Sequence, residues 1–321
     1  MRFPLRRLAM LCAAAALPLA AAAQDFPSKP ITFVVPFAAG SATDQIGRAI
    51  AQGVTEQTGQ AVVIENKPGA SAMIGAQDVA RATPDGYRVL ITTNTTHAAN
   101  EHLYKTLQYD PVKDYAPITL LGKGGQVMVV NPSSSAQSVA DFLELARKSP
   151  GKLSFGSGSS SSRIAGELLQ QMAGVQLLHV PYKSNPPAVA DLLGGQIDMM
   201  ITDTATGLPQ VRAGKLRALG VTGLKRSPLA PDVPTIDEAG VKGYEMGYWF
   251  AAYAPAGTPQ DVVRKLNALL VKATEGAAAK QFYGSTGTDV ATSTPEELAQ
   301  FQQAESRKWG EIISKAGIQP E

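Results

Sequence analysis

Ile31-Thr32-Phe33-Val34-Val35 sets one threonine among four large apolar residues, and the turn Pro36 to Ser41 follows at once. So short an apolar run, bounded by a turn, reads as a strand buried on both faces. From Thr43 to Thr58 the apolar positions recur at helical spacing. Working outward, Val62 to Glu65 is a second strand, Ala72 to Ala82 a helix and Val89 to Thr93 a third strand. This alternation predicts a parallel sheet flanked by helices.

The same alternation resumes downstream. Helix Val139–Lys148 leads to strand Leu153–Phe155, and helix Ala165–Met172 to strand Gln176–Val180. Helix Ala188–Leu193 leads to strand Ile197–Thr202. Two long helical patterns, Pro259–Ala279 and Pro295–Ala316, each open on proline, which suits a first helical turn. A chain of 321 residues is long enough for about two domains. Two extended apolar segments, Val127–Asn131 and Tyr248–Tyr253, are the candidates for joining two α/β halves. A double connection of that kind makes relative motion a hinge.

Arg2, Arg6 and Arg7 precede a short apolar run from Leu8 to Leu19, and Ala21 to Ala23 end it. This is the layout of a cleavable secretory signal, residues 1–23, cut after Ala23. The run is too short to span a bilayer, which needs roughly 20 apolar residues. Removing it takes away three of 29 basic residues and none of the 27 acidic ones, so net charge falls from +2 to −1. It also takes away Cys12, the one cysteine, and with it any disulfide framework. A near-neutral chain argues against nucleic acid or an anionic membrane as partner.

Three polar loops follow predicted strands, where open α/β sheets bind ligands. The first, residues 36–44, contains Phe37, Ala39, Gly40, Ser41 and Asp44. Free N–H groups at the following helix start favour an anion, although an ordinary capped turn has the same pattern. The second, residues 92–97, contains Asn94, Thr96 and His97, and taken alone reads as a surface loop with local side-chain bonds rather than a ligand site. The third, residues 156–163, contains Ser157, Ser159, Ser160, Ser161 and Arg163. Its hydroxyls and amides form a second anion cradle, and Arg163 adds a bidentate grip on a carboxylate. A flexible loop with a solvated arginine is the alternative.

Catalytic signatures are missing. Ser154-Phe-Gly-Ser-Gly158 lacks the first glycine of a nucleophile elbow. No phosphate loop and no dinucleotide fingerprint is present. His97 and His102 stand five apart, which does not suit a zinc pair on one helix face, and His179 in an apolar strand reads as a core histidine. The expectation is a protein without metal or cofactor.

In their order the residues resemble a known family. Phe26 to Ile31 (FPSKPI) and Val35 to Gly40 (VPFAAG) look like the start of a mature tripartite tricarboxylate transporter receptor, a family that includes the Bug proteins of Bordetella. The resemblance continues through Glu65 to Ala70, Pro84 to Tyr87, Tyr109 to Asp114, His179 to Lys183, Pro231 to Thr235 and Ala254 to Pro259. It implies a type II periplasmic-binding-protein fold, with a ligand cleft between two α/β lobes. Residues 24–126 plus 250–321 would form the first lobe and 127–249 the second. It implies a monomeric periplasmic receptor that captures a small organic carboxylate: a di- or tricarboxylate, an acidic amino acid or an aromatic acid. Delivery would be to the large and small membrane subunits of the transporter. The resemblance brings the loop before His97, together with Tyr182 and Asp203, near the cleft and makes Asp44 a brace for its own loop. The chain departs from the usual family pattern at Ser41, at Arg163-Ile164 and at Ser184-Asn185-Pro186, all in the expected cleft. Two rival functions are a receptor signalling to a membrane sensor and, from the serines at 157–162, a periplasmic serine hydrolase.

Overall fold

A computed structural model describes residues 26–321. The segment read as a secretory signal lies outside the described residues.

The first lobe is built on β1 (Ile31–Val35), β2 (Val62–Asn66) and β3 (Arg88–Thr93). Strand β1 pairs parallel with both of the others, as the alternation predicts. Helix α1 (Ala42–Thr58) follows β1, and α2 (Met73–Ala80) follows β2. Ile46 and Ile50 of α1 are buried with Phe33 of β1 in one apolar cluster. Burying each such side chain contributes roughly 1.5–3 kcal/mol. Gly59 ends α1 at φ 69°, a left-handed cap that glycine adopts without steric cost.

Beyond β3 the backbone winds through a π-helical turn, Thr95–Ala99, into the short α3 (Asn100–Leu103). Strand β4 (Tyr115–Val130) then runs through both lobes. Its first part pairs antiparallel with β9 (Gly247–Pro255), from Tyr115 opposite Pro255 to Gly125 opposite Gly247. From Gln126 onward it pairs with β7 (Met199–Asp203), Gln126 lying opposite Asp203. The handover falls at Gly124 and Gly125, where a Cβ on Gly124 would sit 2.4 Å from the Tyr248 hydroxyl.

The second lobe contains α4 (Val139–Lys148), β5 (Ser154–Ser157), α5 (Ser160–Ala173), β6 (Leu178–Pro181), α6 (Asn185–Leu193), β7, α7 (Thr204–Arg212) and β8 (Arg217–Val221). Strand β5 pairs parallel with β6 and β7. Strand β9 returns the chain to the first lobe and pairs antiparallel with β3. The full order is β2-β1-β3-β9-β4-β7-β5-β6, with β8 on β4. The crossover segments read as separate pieces, Val127–Asn131 and Tyr248–Tyr253, thus lie within two long antiparallel strands or at their ends.

The last stretch is α8 (Gln260–Ala273), α9 (Ala277–Thr286) and α10 (Pro295–Lys315). One helix was expected over Pro259–Ala279. It breaks instead, with Gly276 as the N-cap of α9, since glycine favours helix ends over interiors. Thr294 caps α10 in a reciprocal box with Glu297.

Candidate functional site

Four helices, α1, α5, α6 and α7, start at one cavity of about 30 Å3 between the lobes. Their N-cap residues, Ser41, Ser159, Ser184 and Asp203, all line it. Ser41 accepts from the Asp44 amide at 3.2 Å, Ser159 from the Ser162 amide at 3.2 Å, and Asp203 from the Thr206 amide at 2.8 Å. Ser184 makes no cap bond, and its hydroxyl is buried without a partner. Phe37, Thr93, Tyr248 and Phe250 complete much of the wall.

Each helix N-terminus carries about half a positive charge and orphan amides, and favours a neighbouring anion by roughly 0.3–1 kcal/mol. No lysine or arginine lines the cavity, and Asp203 is its one carboxylate. That carboxylate is already engaged: Oδ1 accepts from the Thr206 amide and hydroxyl, and Oδ2 from Asn185 Nδ2 at 2.7 Å. Asn185 is the knot of the second-lobe wall, because its Oδ1 also accepts from the Gly158 amide at 3.1 Å. Gly158 is required there, since an added Cβ would lie 1.9 Å from the Ser184 carbonyl carbon.

Asp44 performs the bracing on the first-lobe side. It accepts from the Gly40 amide at 2.9 Å, from Arg48 Nε at 3.0 Å and from Asn66 Nδ2 at 2.9 Å. Burial opposes its charge, yet the bonds from Arg48, Gly40 and Asn66 outweigh it and hold the carboxyl below the usual carboxylate range. Gly40, at φ 81°, makes the turn that presents Ser41.

Of the residues singled out in the sequence, Phe37, Ser41, Ser159, Ser161 and Asp203 line the central cavity. Ser157, Ser160, Arg163 and Tyr182 line an adjoining cavity of about 130 Å3, together with Ser159. Ala39 and Gly40 are exposed and off both cavities, and buried Asp44 stands behind the wall, where it accepts from the Gly40 amide. Asn94, Thr96 and His97 lie off both cavities and fully buried, which corrects the reading of residues 92–97 as a surface loop. The Asn94 side chain sits against the Trp249 amide, and Thr96 shares hydrogen bonds with Thr92 and His97. The His97 ring stacks on Tyr253 at 3.8 Å, and burial pushes it down to about 3, so it is neutral.

His179 is another correction. It is half-buried rather than in the core, and its Nε2 lies 2.7 Å from Ser157 Oγ. Burial, and then the nearby Arg163, lower it to about 4. No carboxylate hydrogen-bonds its other ring nitrogen among the described residues, so the pair lacks the orienting group of a catalytic triad. The serine run is likewise not a loop: Ser160 to Arg163 form the first turn of α5, set by a box between Ser159 and Ser162.

Ser184 and Asn185, expected in the cleft as departures from the family pattern, line the wall; Thr93, Gly158, Tyr248 and Phe250 also line it and were not singled out in the sequence. Tyr248 and Phe250 alternate along β9 and so share a face, a signal present in the sequence.

Two lobes, two long crossing strands and a cleft lined by helix N-termini define a two-lobed binding protein. The model of the tripartite tricarboxylate transporter receptor family matches residues 46–318, and the chain belongs to that family. Solved structures agree. An R. palustris protein with adipate has a TM-score of 0.89 and 35% identity, over 92% of this chain and 100% of that one. The periplasmic binding protein BugD has a TM-score of 0.88 and 35% identity, over 92% and 100%. MatC from Rhodopseudomonas palustris with bound malate has a TM-score of 0.85 and 31% identity, over 90% and 100%. The chain is thus a solute-binding receptor by family.

Proposed function

We propose that this receptor works in the periplasm, captures a small organic carboxylate between residues 24–126 plus 250–321 and residues 127–249, and delivers it to the membrane subunits of a tripartite tricarboxylate transporter. The carrying observation is the convergence of four helix N-termini on a cavity with no cationic side chain. Such a wall favours an anion by amides and dipoles, and releases it without breaking an ion pair. Asp203 on the central wall has its oxygens engaged by Thr206 and Asn185, and Asp44 behind it has its oxygens engaged by Gly40, Arg48 and Asn66. The adipate and malate bound by relatives support a carboxylate. Closure follows from tighter binding to the shut form. Absence of catalysis belongs to the same reading, since Ser159 and Ser162 serve the α5 cap and Ser157 faces an unsupported imidazole.

The test is a thermal-shift panel on the signal-free chain. Carboxylates should raise the melting temperature while sugars and cationic amino acids do not; the reverse pattern sinks the proposal. For delivery, deleting the membrane subunits should abolish uptake of the ligand so found. Uptake that survives, with only gene induction lost on deleting the receptor, would instead support sensing.

A further inference from the structure

The adjoining cavity is lined from both lobes. Ser71, Tyr104 and Glu321 come from the first, and Ser157, Arg163 and His179 are among those from the second. It meets the central cavity at Gly158 and Ser159, which line both. Its chemistry differs from that of the central cavity in one respect: Arg163 is the single Lys or Arg among the residues lining the two. The arginine side chain is mostly buried, at 19% exposure, and its Nε has no hydrogen-bond partner. Its other face is held across the cleft by the Glu321 side chain, 2.5 Å from Nη1. Glu321 is fixed to the first lobe by its backbone, which pairs with Leu103 and Lys105. Its side chain, at 57% exposure, is free to turn to water.

We propose that this cavity is a second carboxylate subsite of the same cleft, with Arg163 as the residue that selects a ligand carrying a distal carboxylate and Glu321 as an internal stand-in that this carboxylate displaces. The inference rests on the carboxylate reading above. The ligand's first carboxylate would lie at the helix N-termini and its chain would pass Ser159. An arginine offers charged N–H bonds to a carboxylate, and Nη1, which Glu321 now holds, is the donor a ligand carboxylate would take over. An ion pair with an exposed partner is weak, so exchanging Glu321 for a ligand carboxylate in a mostly buried site is favourable. The Ser71–Tyr104 and Ser157–His179 pairs, at 2.6 and 2.7 Å, put hydroxyls along the cavity. The arrangement also accounts for an arginine at the first turn of α5, where a cation opposes the helix dipole unless it has an anion to hold.

The experiment is calorimetric titration with linear diacids, succinate to adipate, each set against the monoacid of equal length. The wild type should prefer at least one diacid by roughly tenfold or more, the size expected of a charged hydrogen-bonded pair. Arg163→Gln should bring the diacid-to-monoacid ratio toward one, and Glu321→Gln should raise it. Equal loss for both ligand types in Arg163→Gln, or a fall in the ratio in Glu321→Gln, makes the ion pair a purely structural clasp and overturns the proposal. Binding of monoacids and diacids with equal affinity by the wild type overturns it too, while leaving carboxylate capture intact. Binding of neither type by the wild type overturns the diacid subsite, and carboxylate capture falls with it only if the wider thermal-shift panel is silent too. Melting temperatures of both variants separate a fold defect from a binding one.

Discussion

Asn185 donates its side-chain amide to Asp203 at 2.7 Å, and this one bond ties the start of α6 to the start of α7. The other end of Asn185 holds the Gly158 amide, so three of the four helix starts at the cleft are cross-linked within the second lobe. Replacing Asp203 with alanine removes the α7 cap and leaves buried Asn185 Nδ2 unpaired. The expected loss is about 1–3 kcal/mol of unfolding free energy, measured by urea denaturation. A loss below a few tenths would contradict the bracing role.

Gly158→Ala should be more disruptive than its size suggests. The new methyl would meet backbone atoms of Ser184 and Asn185 at 1.9 to 2.2 Å, and backbone cannot rotate away as a side chain does. A destabilisation of about 1–3 kcal/mol is expected, together with loss of ligand response, read by thermal shift with and without ligand. A variant that melts and binds like the wild type would show that the loop moves freely.

Ser184→Ala separates binding from stability. The hydroxyl is buried and without a partner, so its removal should leave the melting temperature unchanged or slightly raised. Carboxylate affinity should fall about tenfold if the hydroxyl is a donor held for the ligand, as titration calorimetry will read. Unchanged affinity would make it a bystander.

The histidines predict how stability depends on pH. Burial lowers His97 from 6.5 to about 3, and burial with Arg163 lowers His179 to about 4. The unfolded chain then takes up protons at a pH where the folded one does not. Stability from these two groups is full above about pH 6.5 and is lost as pH falls toward 4 for His179 and 3 for His97. Each contributes a slope of about 1.4 kcal/mol per pH unit within its window. Urea denaturation at pH 7.5, 6.0 and 5.0 checks it, and His179→Asn should flatten part of the decline. Equal stability at all three pH values would contradict the assignment.

The sequence made the fold legible because its apolar runs and helical periods alternate so regularly. Ile31–Val35 and the helix after it lie as read, and so does Val139–Lys148. What stayed hidden depended on contacts between distant residues. Thr92 to His97 looks like a polar surface loop, yet its hydroxyls bond one another and His97 stacks on Tyr253, which is 156 positions away. The serine run hid a helix start because serine is a poor helix former, and because Ser162 serves at the third position of the capping box in place of the usual glutamate. Ser184 and Asn185 stand in the cleft as the family pattern implies, but their roles, an unpartnered hydroxyl and a side chain that holds Gly158 and Asp203, depend on packing the sequence does not display.

The central claim is that helix N-termini, rather than a fixed cation, hold a carboxylate in the central cavity. The most direct measurement is calorimetric titration of the signal-free chain with the tightest-binding acid and with its primary amide. The amide is nearly isosteric but uncharged, so this account predicts that it binds at least roughly a hundredfold more weakly, given amides and dipoles tuned to negative charge. Equal binding of acid and amide would show that the cleft recognises shape, and would contradict the account.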